Sequence, residues 1–415
     1  MTRTERTYYL INFSFNLSWS YIGPVYVLFL LDRGLDLFQV SVVPAVYFIV
    51  SFLLEVPTGA FADVVGRKTS FLLSCVVRML AFGMYAVAHD FSQFIAAEFV
   101  DALGSTLASG ALDAWAVDGM RADGEARPAE RFFARGQVVG RAAIVAGGLA
   151  GGYLGQRSLT LPWIAAAVSF AITGMVAARY MSETRCGPAV VAASRPSLVR
   201  TVRDGLIAVR DLPILWLLCL LTLGLAFAIT PAQHLWQPRM QSLSGEGVWL
   251  MGWIWALFNL ASLTGSAFLP RLLGRRRRAV VLSVVTLWRG LMLGAAAVAT
   301  TFLPALAGLL LMEVGLGVSE PLLQAWMNEH VAAERRATVL SVRAMCLTLG
   351  QGMGLLCLGH LARDAGITVV WVTSALIVVL IAPVFLMLAR RIEAVPSAPL
   401  QPDAALRPEV VPPAA

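Results

Sequence analysis

The chain has 415 residues, 58% of them hydrophobic and 14% charged, with a formal net charge of +7. A soluble chain of this size would carry roughly 25% charged residues, and no one or two soluble domains could bury this much apolar surface. A soluble enzyme, a DNA-binding protein and a secreted disulfide scaffold are therefore excluded. Twelve spans of roughly 20 residues would need about 240 apolar positions, close to the number present. Cys75, Cys186, Cys219, Cys346 and Cys357 are scattered and form no metal-ligand or disulfide spacing.

In chain order, apolar runs separated by charged or turn-forming breaks predict spans over 8–31, 39–60, 69–88, 92–118, 134–155, 161–181, 213–233, 248–270, 279–301, 303–328, 338–359 and 367–389. Breaks such as His89-Asp90 hold only a tight turn, so the spans they join are antiparallel neighbours. The longest internal break, 182–212, separates an N-terminal six-helix bundle (1–181) from a C-terminal one (213–389). The Pro- and Ala-rich stretch 390–415 reads as a disordered tail.

Arginines set the orientation. With the N-terminus inside, the inner segments hold Arg67, Lys68, Arg121, Arg131, the central-loop arginines, the run Arg275 to Arg278, Arg335, Arg336, Arg390 and Arg391. The outer ones hold Arg33, Arg157, Arg239 and Arg363. By the positive-inside rule both termini are expected in the cytoplasm of a cell (inner) membrane. The basic balance is thus topological and calls for no nucleic-acid partner.

The two halves repeat faintly. Gly66-Arg67-Lys68 precedes Gly274-Arg275-Arg276 by 208 positions. Asp113-Ala114-Trp115 precedes Gln324-Ala325-Trp326 by 211, and Arg78 precedes Arg289 by the same interval. Repeated halves are a common way to build a midplane site that opens to either side in turn.

Between spans two and three stands Gly59-Ala60-Phe61-Ala62-Asp63-Val64-Val65-Gly66-Arg67-Lys68. It resembles the G-x-x-x-D-x-x-G-R-[KR] signature of the major facilitator superfamily, at that family's position for it. The resemblance implies an all-α polytopic fold of twelve transmembrane helices in two pseudo-symmetric six-helix bundles. It also implies a conformational latch of Gly59, Asp63, Gly66, Arg67 and Lys68. In that latch Asp63 caps span eleven near Arg343 when the cavity faces outward, and a carboxylate is favoured at a helix N-terminus. Span five carries Gly147-Gly148-Leu149-Ala150-Gly151-Gly152, similar to the G-P-x-x-G-G motif of the family's drug exporters but without its proline. The same glycines also form GxxxG pairs suited to close helix packing.

Ionisable residues within the spans cost roughly 2.5–3.5 kcal/mol each on insertion scales and mark partners or cavities. Arg78 and Arg289 are expected to pair with Asp101 and Glu313 as twin structural ion pairs, since each acid falls at a similar depth on the next span. Asp113 and Glu320 lack an obvious arginine and are the candidates for proton coupling. Asn16, Glu98, Arg141, Gln233, Gln324 and Trp326 complete the expected substrate cavity, because spans one, four, seven and ten line it in the family. Arg141 could instead neutralise Asp113.

The favoured reading is a secondary carrier working by alternating access, monomeric in the bilayer, that couples protons to efflux of drugs or other amphipathic small molecules. A proton-coupled importer of a metabolite or organic anion is the alternative, with Arg141 as the discriminating residue. A receptor-like protein without flux is the reading from another class. No nucleophile, phosphate-loop, cofactor or metal motif points to an enzyme.

Overall fold

A computed structural model describes residues 1–122, 129–182, 213–273, 278–329 and 336–394. The central-loop residues 183–212 and the tail beyond Ala394 lie outside the described residues. Everything described is helix and short turn, and eleven helical spans are long and apolar enough to cross a membrane. The N-terminal half comprises α1 (Arg3–Ser20), α2 (Tyr26–Asp32), α3 (Leu37–Val65), α4 (Arg67–Val87), α5 (Phe91–Ala108), α6 (Ala111–Ala122), α7 (Ala129–Arg157) and α8 (Leu161–Tyr180). The C-terminal half comprises α9 (Pro213–His234), α10 (Trp236–Ser244), α11 (Trp249–Leu273), α12 (Arg278–Val298), α13 (Phe302–Glu329), α14 (Arg336–Ala365) and α15 (Ile367–Ala394).

Two expected spans are interrupted, each for a local reason, and a third is extended. Span one breaks into α1 and α2 around Gly23-Pro24, where proline can supply no backbone N–H. Span four breaks into α5 and α6 at Gly110, whose φ of 67° suits glycine alone. Span seven continues past His234 into α10. Where helices begin, side chains satisfy the free N–H groups. Thr2 with Glu5 and Asp36 with Gln39 form reciprocal capping boxes. Asp90 accepts from Gln93 N–H at 3.0 Å. Hydrogen bonds from the Ser92 hydroxyl and from Gln93 hold this exposed carboxylate below its usual range.

Glycines permit the closest helix approaches. A Cβ on Gly151 would lie 1.9 Å from the Tyr21 carbonyl, and one on Gly152 would lie 2.8 Å from Gly252 Cα on α11. The span-five glycines therefore pack α7 on the α1–α2 turn and on the other half of the molecule.

Contacts between the halves concentrate on the side of the membrane away from the termini. There α3 meets α14, with Arg363 5.5 Å above the Phe38 ring and Ser41 against Gly359. Helix α7 meets α11, and Gln156 Oε1 accepts from Trp249 N–H at 3.2 Å. The third contact mends the break in span one. An unbroken helix would bond Val27 N–H to Gly23 C=O. Instead the Gln237 side chain of α10 accepts from Val27 N–H at 2.7 Å and donates to Gly23 C=O at 2.6 Å. The cavity between the halves is thus sealed away from the termini, whereas on the terminal side Arg67 with Asp118, Lys68 with the end of α8 and Arg343 with Glu320 bond within their own half. An unpaired backbone group in hydrocarbon costs several kcal/mol. Gln237→Leu should therefore destabilise this closure, and a cysteine introduced for Trp19 should react faster with a reagent added on the closed side. Unchanged labelling would show that Gln237 is not part of the seal.

Candidate functional site

A cavity of about 650 Å3 lies between the halves near mid-membrane. Its apolar walls come from Phe15, Trp19 and Tyr26 of span one, Tyr47 and Phe48 of α3, and Trp255 and Phe258 of α11. Trp19 and Trp255 meet edge to face with ring centres 6.5 Å apart. Charge enters on five side chains, namely Arg78, Glu98, Asp101, Arg141 and Glu313, with Gln233, His234, Gln237 and Asn259 beside them.

These charges are not equivalent. Arg78 and Asp101 form a buried two-point pair, with Nε to Oδ1 at 2.7 Å and Nη2 to Oδ2 at 3.3 Å. The guanidinium also lies 4.7 Å from the Phe170 ring centre and 5.6 Å from that of Phe15. Glu98 accepts a hydrogen bond from the Tyr85 hydroxyl, and Tyr85 stacks on Trp163 at 4.0 Å. Glu313 Oε1 accepts from Gln233 Nε2 at 3.0 Å. Arg141 donates to Asn259 Oδ1 at 3.0 Å, across the interface between the halves, and touches no carboxylate among the described residues. It is the one cavity cation left without an acidic partner among them.

The expected Arg289–Glu313 pair does not form. Arg289 Nη1 bonds the Ser319 hydroxyl at 3.2 Å, while Glu313 turns to Gln233. The repeat explains why. Asp101 and Glu313 are 212 positions apart whereas the arginines are 211 apart. One residue of slip rotates the carboxylate by about 100° on its helix. The glycines that seat the arginines keep the 211 interval: a Cβ on Gly104 would lie 2.5 Å from Arg78 Cγ, and one on Gly315 would lie 2.6 Å from Arg289 Cγ.

Other expectations are corrected too. Glu320 is bonded by Arg343 of α14, so it does not lack an arginine partner, and it borders a smaller second cavity instead of the central one. Asp113 is exposed and accepts from the Tyr8 hydroxyl at 2.8 Å, and it forms no ion pair with Arg141, which bonds Asn259. Asn16 bonds back to Asn12, Gln324 is exposed, and Trp326 is packed in an apolar cluster, so none of the three lines the cavity. Of the latch residues, Asp63 is exposed and has no ion-pair partner among the described residues, since Arg343 is engaged by Glu320. Arg67 Nε lies 3.0 Å from Asp118 Oδ2. Lys68 Nζ donates to the carbonyls of Ala178 and Met181 at 3.2 and 2.7 Å, binding the end of α8. Gly59 has open space around it, and Gly66 turns with a φ of 99°.

Sequence reasoning passed over Gln237, Tyr47, Phe48 and Tyr85 as site residues. The break at Gly23-Pro24 was the available signal for Gln237, because it frees a carbonyl and an N–H that something must satisfy.

A Major Facilitator Superfamily sequence profile matches residues 8–287 and 249–412. The chain belongs to the major facilitator superfamily. An MFS-type transporter of Bacillus subtilis (strain 168), YxaM, is 22% identical over 379 residues, covering 89% of this chain and 92% of that protein. Among solved structures, the nucleoside transporter NupG has a TM-score of 0.77 at 12% identity, covering 94% of this chain and 100% of NupG. A POT family transporter has a TM-score of 0.72 at 14% identity, covering 94% and 96%. The human organic anion transporter MFSD10 has a TM-score of 0.62 at 16% identity, covering 93% and 99%. At these identities the likeness to solved structures establishes the fold, and this facilitator's chemistry has to come from its own cavity.

Removing one member of a buried ion pair costs about 3–5 kcal/mol by leaving the other charge uncompensated. In this facilitator Arg78→Ala should sharply reduce folded yield in the membrane, and Arg78→Ala with Asp101→Ala should recover part of it. A double variant as poor as the two single losses combined would contradict the pairing.

Proposed function

We propose that the chain is a secondary transporter that moves a small organic anion together with a proton by alternating access. The observation that carries this reading is Arg141, a cation on the cavity wall with an amide neighbour and no contacting carboxylate. An anionic group on the solute would supply the missing partner, and the surrounding tryptophans and phenylalanines suit an apolar body.

Glu313 supplies the coupling in this reading. It borders the same cavity, lies within electrostatic reach of Arg289 and of Arg141, and is hydrogen-bonded by an amide instead of an arginine. It can therefore hold or release a proton without breaking an ion pair. With the cavity empty, an ionised Glu313 balances Arg141. With the anion bound, a protonated Glu313 leaves Arg141 balanced by the solute. Both states are neutral at the gate, whereas a half-loaded cavity carries a net charge that occlusion in low dielectric would penalise. Glu98, facing the same space and held by Tyr85, is the second candidate proton carrier.

This favours the organic-anion alternative over drug efflux. The span-five glycines that suggested an exporter are occupied with packing against Ser20, Trp255, Tyr21 and Gly252. Glu320 and Asp113, the acids that suggested coupling, lie elsewhere. By the arginine asymmetry both termini face the cytoplasm, so the structure corresponds to the inward-facing state.

Uptake of a panel of aromatic and aliphatic carboxylates into proteoliposomes with an imposed inward pH gradient tests the proposal. At least one anion should accumulate. Arg141→Gln should weaken its binding about tenfold or more, as loss of a charged hydrogen bond does. Glu313→Gln should abolish gradient-driven accumulation while preserving exchange between internal and external solute. Accumulation of neutral or cationic solutes alone, or full activity of both variants, would contradict it.

A further inference from the structure

Behind the central cavity, inside the C-terminal half, lies a second cavity of about 180 Å3. It is bordered by α9, α12, α13 and α14, and Gln233 forms part of the wall of both cavities. Arg289 reaches it from α12 and is only 5% exposed. Among the described residues it hydrogen-bonds the Ser319 hydroxyl, its Nε has no partner and no carboxylate contacts it, while Glu313 and Glu320 lie within electrostatic reach. One turn away on the same helix, the Thr286 hydroxyl is 1% exposed and also unpartnered. Glu320 lies on the cavity wall, but its charge is engaged by Arg343.

The N-terminal half shows what a filled version of this space looks like. There the arginine is neutralised by Asp101 and covered by Phe15. Counting 211 positions on from Phe15, Phe71, Cys75 and Arg78 gives Ala226, Leu282, Thr286 and Arg289, all four on the second cavity's wall. The repeat has kept the arginine, displaced its acid onto the other cavity and replaced two aromatic rings with smaller side chains. A buried cation has thus gained room in place of a contacting counter-charge.

We propose that this second cavity binds a small inorganic monoanion, of the chloride type, between the Arg289 guanidinium and the Thr286 hydroxyl. A buried charge without a partner is strongly unfavourable, and one halide-sized anion would engage both orphaned donors. The volume accommodates such an ion with a few waters. The remaining wall mixes Leu225, Ile229 and Leu323 with Thr222, Thr230 and Gln351 and adds no further cation. This site is distinct from the Arg141 cavity and does not depend on which solute that cavity carries.

The test uses the full chain in nanodiscs, with thermal unfolding followed as chloride replaces gluconate at constant ionic strength and no organic solute. The transition should rise saturably with chloride and likewise with bromide, as binding to the folded state requires. Thr286→Val should weaken the apparent affinity about tenfold, and Arg289→Gln should remove the effect. If Arg289→Gln does not fold, Thr286→Val decides. In crystals soaked with bromide, an anomalous peak is expected between Arg289 and Thr286. A transition insensitive to chloride, or a chloride effect that Thr286→Val leaves unchanged, would overturn the proposal.

Discussion

The closure of this molecule turns on a side chain that completes the backbone of a helix to which it does not belong. Gln237 stands between Gly23 and Val27 and takes both hydrogen bonds that the broken first span cannot make for itself. In water such a break would be solvated at little cost, but in hydrocarbon the two peptide groups need a partner. The requirement ties span one to span seven only while the halves are together on that side. Separation must hand the two groups to water entering the cavity. The same contact therefore stabilises one state and is available for exchange in the other. The glycine contacts of α7 on α11 act alongside it by letting the helices approach to backbone distance.

Electrostatic compensation in low dielectric sorts the remaining charges. The N-terminal half resolves its buried arginine with an acid and aromatic rings, which makes Arg78 and Asp101 a fixed part of the wall. The C-terminal half resolves its own arginine differently, because its acid stands one residue out of phase and faces the central cavity. That slip gives the molecule an asymmetric interior. Glu313 bonds Gln233 on the central cavity, within electrostatic reach of both Arg289 and Arg141, and Arg289 makes its direct hydrogen bond to a hydroxyl. An internal repeat thus supplies two similar bundles, and small departures from the repeat produce the chemistry.

Much of the architecture was legible in the sequence because hydrocarbon imposes a coarse constraint. Apolar length and arginine asymmetry locate spans to within a few residues, and the Gly59 to Lys68 segment points to the family. The Arg78–Asp101 pair was readable because neighbouring antiparallel helices bring equal depths together. Depth alone did not settle which way a side chain points. Glu313 and Glu320 differ by two helical turns along α13, yet one meets an amide on α9 and the other an arginine on α14. Gln324 and Trp326 were misplaced for the same reason, since a stripe on one helix does not say where its neighbours lie. Gln237 was hidden because its partners are backbone atoms, which leave no pattern of their own.

Alternating access requires the contacts between the halves on the side away from the termini to part in every transport cycle. Phe48 and Gly352 test it directly, because a Cβ built on Gly352 lies 3.6 Å from Phe48 Cβ on the opposite half. That separation falls within the range a disulfide spans, about 3.5–4.5 Å. In a chain with its native cysteines replaced, Phe48→Cys with Gly352→Cys should cross-link on oxidation and stop solute exchange, and reduction should restore it. Exchange at an undiminished rate in the fully cross-linked chain would contradict the account.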